Sequence, residues 1–239
     1  MLAGAGPLWS GPQLSGNWDV IWHYAGLHVQ YTLLSLALGA AVALPLGYAS
    51  HRSASTYAVL LALTNVVYAI PSLALFVLLF PFTGITNDKP VIIAMALYSL
   101  VILLRSIVEG LRAVPAATVT AARAMGFGNI RRFFAVELPL AVPTVIAGLR
   151  LATVSTVSLL SVGGLIGKGG LARLFRDGFD RHINVEIWAG LLAVVVIALV
   201  ADVLLLGVGR ALTPWSRART APNVVLTAPV ARRVDVGGR

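Results

Sequence analysis

The stretch 120-TAARAMGFGNIRRFFAVELPLAVP-143 lies between two long apolar segments, and it carries three arginines, one glutamate and two prolines. Charged side chains are costly in the hydrocarbon core of a bilayer, so we expect this stretch to lie outside the lipid. Gly126 separates its alanine-rich first part from its basic second part. The pattern predicts an ordered loop of two short helices between two apolar spans.

The chain is far more apolar than a soluble domain. Of its 239 residues, 58% are hydrophobic and 11% are charged, and the mean hydropathy is +0.88. A soluble domain contains about 25% charged residues, so we predict an all-α integral membrane protein. The absence of cysteine excludes disulfides and thiolate metal sites. We attribute the net charge of +9 to Lys and Arg in cytoplasmic loops, where they set the orientation in the membrane. Nucleic-acid binding is not indicated, because the sequence has no basic face with interleaved aromatic residues.

Five stretches are apolar enough to cross a bilayer, for which a helix needs about 20 residues. They are residues 27–49, 57–80, 91–108, 140–165 and 187–206. With the N-terminus outside, 11 of the 18 basic residues fall in cytoplasmic segments and five fall in external segments. Because Lys and Arg concentrate on the cytoplasmic side, this distribution predicts an N-out, C-in orientation.

We predict three regions along the chain. Residues 1–26 form an external or interfacial segment, in which three tryptophans and a tyrosine fit an aromatic belt. This segment has no Lys or Arg, so we expect no cleaved signal peptide. Residues 27–212 form the transmembrane domain, and residues 213–239 form a disordered, basic cytoplasmic tail rich in proline, alanine and threonine.

The loop at residues 115–139 begins with a predicted short helix. Pro115 suits a helix start, where a missing N–H is tolerated. Gly126 suits the helix end, where a left-handed conformation costs glycine little. Ala121 and Ala122 are small enough for a partner surface to approach closely.

A second short helix is predicted at residues 129–136, followed by Pro139 at the start of the next span. We expect Arg131 and Arg132 to lie on its wet side. We expect its apolar side to carry Phe133, Phe134 and Val136.

The spacing of this loop resembles the "EAA" signature in permease subunits of bacterial ATP-binding-cassette importers. That pattern is Glu-Ala-Ala, three residues, Gly, nine residues, Ile, one residue and Leu-Pro. The chain keeps the full spacing at Ala121, Ala122, Gly126, Val136, Leu138 and Pro139. It departs from the pattern at Thr120, where the family has glutamate, and at Val136, where the family has isoleucine.

The resemblance extends over residues 20–212 and implies a permease that is not an enzyme and holds no cofactor. In that family the loop is a coupling helix that docks on a cytoplasmic ATPase, to which ATP and magnesium belong. The other implied partners are a second permease subunit, identical or homologous, an external solute-binding protein and the lipid of the bacterial plasma membrane. The coupling residues carried over are Ala121, Ala122, Met125, Gly126, Phe127, Val136, Leu138 and Pro139.

Three segments look most like the osmoprotectant subgroup, which imports glycine betaine, carnitine, choline or proline. They are AIPSLALFVLLFP at 69–81, VELPLAVPTVIAGLRLATV at 136–154 and GGLIGKGGLARLFRDGF at 163–179. In the third segment, Lys168 and Ala172 depart from the small residues and the glycine that are usual there. Methionine-type importers share the general signature, so import of an amino acid such as methionine stays open as an alternative.

Two further features indicate a translocation path or gate. Pro71 and Ser72 lie mid-span, where a kinked helix that lines the path and an ordinary packing kink are both open. Gly163 and Gly164 begin a glycine-rich run that lacks the Gly-x4-Gly-Lys-Ser/Thr order of a phosphate-binding loop. We expect close backbone packing near an outer gate, with a flexible loop that receives the binding protein as the alternative.

Arg150 in the fourth span and Asp202 in the fifth lie at similar depth, so we expect them to pair, as intramembrane charges usually do. A structural pair is favoured over a proton or ion site. A secondary transporter or channel that works through this pair would be supported by inverted repeats, and the sequence shows none. A membrane-embedded enzyme would need paired catalytic groups, and the four histidines have no metal-ligand spacing.

Overall fold

The computed structural model describes residues 18–215, which fold into helices without a β-strand. The predicted all-α class is therefore confirmed. The α-helices are α1 (Trp18–Arg52), α2 (Ala54–Ala69), α3 (Ser72–Thr83), α4 (Lys89–Arg112), α5 (Ala116–Ala124), α6 (Asn129–Arg132), α7 (Leu138–Leu160), α8 (Ala172–Asp180) and α9 (Asn184–Leu212). A π-helical turn, Phe133–Glu137, joins α6 to α7, and a 3₁₀ turn, Ser161–Ile166, follows α7.

The number of membrane spans agrees with the prediction. In the described part of the chain, four helical segments are long and apolar enough to cross a bilayer: α1, α4, the continuous run Asn129–Ile166 and α9. Helices α2 and α3 pass the same test together, but they bend by 98° at the break between them. Counted as one broken span, this pair gives the predicted total of five.

Two predicted spans differ in helical detail. Helix α1 extends back to Trp18, beyond the predicted span start at residue 27, so aromatic residues of the predicted interfacial segment lie in its first turns. The predicted span at 57–80 is two helices, because a proline disfavours the helical conformation of the residue before it. Ile70, which precedes Pro71, is extended at φ −71° and ψ 128°. The remaining N-terminal residues and those after residue 215 lie outside the described part.

Helix α4 forms the centre of the bundle and packs between α1 and α7. Small residues allow these contacts: a Cβ added at Gly39 of α1 would lie 2.0 Å from the Ser99 hydroxyl oxygen, and one added at Gly148 of α7 would lie 2.0 Å from that of Ser106. Close backbone approach at small residues is the usual basis of helix association in lipid. These close contacts fix the positions of α1 and α7 against α4.

The bundle has two chemically distinct ends. At one end, α1 and α4 finish and α7 begins, and His51 of α1 lies 3.7 Å from Glu137. We call this the basic end, because Arg52, Arg112 and the arginines of residues 115–139 gather there. At the opposite end, Asp88 before α4 lies 3.5 Å from Arg173 of α8.

Candidate functional site

The signature segment (residues 115–139) connects α4 to α7 at the basic end, and its first half has a fixed geometry. Helix α5 follows Pro115 as predicted. It ends in a reversal in which the Phe127 N–H donates to the Ala122 carbonyl and the Gly126 N–H donates to the Arg123 carbonyl. These two hydrogen bonds form a Schellman motif, in which the residue just after the helix end adopts the left-handed conformation. Gly126 supplies it with φ +81°, as predicted.

The segment exposes large apolar side chains. Met125 is 68% exposed, Ile130 is 73% exposed and Phe134 is 64% exposed. Exposed apolar patches of this kind mark interaction sites in proteins. Ala121 is exposed on the same segment, whereas Ala122 is buried, so of the two alanines only Ala121 presents its side chain at the surface. The helix turns Ala122 inward, where its carbonyl closes the reversal.

The second half of the segment differs from the prediction. Helix α6, the π turn and α7 form one continuous run, so no break separates the second short helix from the span that holds Pro139. Proline removes one hydrogen bond from an α-helix and crowds the preceding turn. The wider π turn that comes directly before α7 accommodates this change. Val136, Leu138 and Pro139 are half-buried within the run.

The π turn also reverses one predicted exposure. Arg132, expected on the wet side, is buried and forms an ion pair with buried Glu137. Phe134 is exposed and lines an apolar groove with Phe133 and Ile130, as expected of the apolar side. Arg132 is turned inward because a π turn brings residues five apart onto one face. Of the two arginines, only Arg131 stays exposed as expected, with its guanidinium 4.6 Å from the centre of the Phe127 ring.

The mid-span break at Pro71 is sharper than a kink. The Tyr98 hydroxyl donates to the Ile70 carbonyl at 2.5 Å, which satisfies one backbone group that the break leaves free. The Tyr68 and Tyr98 rings stack edge to face with centres 5.6 Å apart. Pro71 is exposed and Ser72 is half-buried, so the break lies at the surface of the single chain.

The glycine-rich run is tightly packed, as the first of the two interpretations requires. A Cβ at Gly163 would lie 3.0 Å from the Lys168 carbonyl oxygen, and one at Gly164 would lie 2.3 Å from the Ala172 carbonyl oxygen. Further along, a Cβ at Gly170 would lie 2.7 Å from the backbone of His28 on α1. The run therefore joins α7 to α8 as a compact reversal against α1.

The structure brings Arg150 and Asp202 together. The guanidinium Nε and Nη2 donate to the two carboxylate oxygens at 2.8 and 2.7 Å. This bidentate contact satisfies both oxygens, and about a third of each side chain stays exposed. The two side chains thus form a salt bridge between α7 and α9.

Sequence reasoning missed a polar cluster at the opposite end. The Tyr31 hydroxyl donates to the Asp88 carboxylate at 2.6 Å, and the Arg173 guanidinium lies 3.5 Å from the other Asp88 oxygen. The same guanidinium lies 5.9 Å from the centre of the Tyr24 ring. The cluster ties α1, α4 and α8 together. Residues 18–215 contain no group of three or more His, Cys, Asp and Glu residues that could hold a metal ion.

Comparison with known families decides the class of protein. The model of the family described as binding-protein-dependent transport system inner membrane component matches residues 35–218. The chain belongs to this family. It is therefore a multi-pass inner-membrane permease subunit of an ATP-binding-cassette importer, a transport subunit that is not itself catalytic.

Relatives and a solved structure extend the family assignment. The glycine betaine/carnitine/choline transport system permease protein OpuCB of Bacillus subtilis is 28% identical over 84% of this chain and 92% of its own length. The carnitine transport permease protein OpuCB of Listeria monocytogenes is 31% identical over 78% of this chain and 85% of its own length. The inward-facing MetNI methionine transporter is 21% identical, with a TM-score of 0.74 over 86% of this chain and 100% of the matched chain, which shows a shared fold.

Proposed function

We propose that this permease imports osmoprotectants that carry a quaternary ammonium group, such as glycine betaine, carnitine or choline, with proline as a further candidate. One observation carries the proposal: a relative named for these three substrates is similar along 92% of its own length. The three sequence segments quoted above favour the same subgroup. The likeness to a methionine transporter is one of fold at 21% identity, so it gives no support to methionine.

The signature segment is the proposed docking site for a cytoplasmic ATPase, which places the basic end in the cytoplasm and the N-terminus outside. The fixed Gly126 reversal and the exposed Met125 side chain support this assignment, because a docking element needs a rigid shape and an apolar contact. Ala121 and Phe127 complete the outer face, and Val136, Leu138 and Pro139 join that face to α7. The carbonyl of the buried Ala122 closes the reversal beneath this face.

Transport follows from movement of this segment. Closure of two ATPase subunits on ATP and magnesium, both held by those subunits, moves the signature segments of two permease subunits, identical or homologous, and switches the passage between inward and outward access. A solute-binding protein delivers the substrate from outside. Such a protein selects a quaternary ammonium by the attraction of aromatic rings for a cation.

The remaining predicted residues take supporting roles in this proposal. Pro71 and Ser72 mark the break in a helix that lines the passage, and Gly163 and Gly164 pack the outer gate. Arg150 and Asp202 act as a structural pair between α7 and α9, since their bidentate contact leaves neither charge unpaired. A proton or ion site would need an acid free to exchange its partner.

Uptake of radiolabelled solutes tests the substrate class. A strain lacking the gene is compared with the same strain carrying it, at low and high osmolarity, with glycine betaine, carnitine, choline, proline and methionine. We expect the gene to restore uptake of the quaternary ammonium solutes, with more uptake at high osmolarity. Restored methionine uptake without betaine or choline uptake would contradict the substrate class and leave the family assignment intact.

A further inference from the structure

A buried ion pair within the signature segment lies against the last turn of α1. The Arg132 Nε donates to one Glu137 carboxylate oxygen at 2.5 Å, and both side chains are 3% exposed. The other Glu137 oxygen has no hydrogen-bond partner and lies 3.7 Å from Nε2 of His51, in the last turn of α1. Glu137 therefore pairs with Arg132 of its own segment through one oxygen and faces α1 through the other.

The backbone around Glu137 is built for this contact. The Leu138 N–H donates to the Phe133 carbonyl five residues earlier, which is the hydrogen bond of a π turn. The turn places Arg132 and Glu137 on one inward face, which an α-helix would not do for residues five apart. Single π turns inside α-helices occur frequently at functional sites.

The α1 side of the contact is equally ordered. The Tyr48 ring packs edge to face against the Phe133 ring, with centres 4.6 Å apart, one turn before His51. Further back on α1, Gly39 and Gly47 press against α4, where a Cβ at Gly47 would lie 2.5 Å from the Ile107 side chain. The last turn of α1 thus belongs to a helix that packs closely against the centre of the bundle.

We propose that Glu137 is a positioning residue of the coupling step, an inference that rests on the proposed docking of the ATPase. Its carboxylate holds the inner face of the signature segment and the end of α1 in one register, so that displacement of the segment moves α1. Stability alone does not explain a charged contact here. Buried ion pairs are often replaced by apolar residues without loss of stability, and their best-attested use is to fix register.

The test uses the assembled importer, purified with its ATPase and reconstituted in liposomes with its solute-binding protein. Glu137→Gln removes the charge and keeps the shape, and Glu109→Gln, at an exposed position near the end of α4, is the matched control. ATP hydrolysis and uptake of radiolabelled choline, with glycine betaine and carnitine in parallel, are measured in the same vesicles. Docking is measured separately by crosslinking from Met125→Cys, which is a unique thiol because the chain has no cysteine.

For Glu137→Gln we expect normal crosslinking, retained ATP hydrolysis and about a tenfold drop in solute moved per ATP, within the usual range of coupling between two sites. Glu109→Gln keeps the wild-type ratio. An unchanged ratio in Glu137→Gln would overturn the role of Glu137. Absence of the crosslink from Met125→Cys in a chain that keeps Glu137 would instead overturn the proposed docking site.

A second variant decides the matter if Glu137→Gln does not accumulate in the membrane. His51→Gln changes a side chain that is 23% exposed, so it disturbs folding less than a change to the buried carboxylate. We expect His51→Gln to lower the amount of solute moved per ATP while crosslinking stays normal. A wild-type ratio in this variant would overturn the inference.

Discussion

Gly126→Asp is expected to abolish solute uptake while leaving the protein in the membrane at its normal level. Gly126 has φ +81°, and a Cβ placed there would meet no atom of the chain within 4 Å. Aspartate adopts this left-handed backbone at some cost in strain, but at less cost than most residues, so we expect the variant to insert. The added bulk and negative charge instead stand on the surface proposed to meet the ATPase. Uptake of radiolabelled choline in cells, normalised to permease detected in isolated membranes, checks the prediction.

Gly128→Asp is the matched control for this change. It adds the same charge two residues away, at a glycine that also has open space around it. Gly128 precedes α6 with φ −64° and ψ 164°, a position where aspartate is a favoured cap. We expect this variant to keep most of the uptake. Wild-type uptake in Gly126→Asp, at normal membrane levels, would mean that the docking assignment is wrong.

Gly148→Leu is expected to destabilise the bundle at the contact between α4 and α7. A Cβ at Gly148 would lie 2.0 Å from the Ser106 hydroxyl oxygen and 2.2 Å from its Cβ, both far inside van der Waals contact. Relief would require the two helices to separate, and overpacking of this kind costs about 1–3 kcal/mol or more. The free energy of unfolding in detergent micelles and the melting temperature should both fall. Membrane levels should fall with them.

The control for this change is Gly207→Leu in α9. Gly207 is an exposed glycine of a membrane helix, and a Cβ there meets nothing within 4 Å. It is the same substitution in a membrane helix but creates no clash, so we expect a change within about 0.5 kcal/mol. Equal stability of Gly148→Leu and Gly207→Leu would show that α4 and α7 do not pack as described.

Where local chemistry decides the structure, the sequence predicts it well. Gly126 ends α5 in a left-handed conformation because glycine alone pays no steric cost there. Arg150 and Asp202 pair because two charges at matching depth in lipid have few other partners. The first prediction follows from one residue alone, and the second follows from two charges that the lipid leaves few other partners.

Where packing decides the structure, the sequence predicts it poorly. The π turn adds a residue to one helical turn, so Arg132 becomes buried although it was expected on the wet side. Ala122 is turned inward by the way α5 lies on the π turn, which no local pattern encodes. The contact of Tyr31 with Asp88 joins residues 57 positions apart in sequence, and only the tertiary fold brings them together.

Crosslinking from Met125→Cys to the ATPase tests the central claim, that the ATPase docks on the signature segment of this permease. Met125 is 68% exposed, and Leu165, which is 70% exposed beyond the far end of α7, gives a control thiol as Leu165→Cys. The account predicts that Met125→Cys joins the permease to its ATPase in the purified importer, with a yield that changes on addition of ATP and magnesium. Leu165→Cys should give no such product. An importer that takes up solute with ATP hydrolysis yet never crosslinks through Met125→Cys, or crosslinks equally through Leu165→Cys, would contradict it.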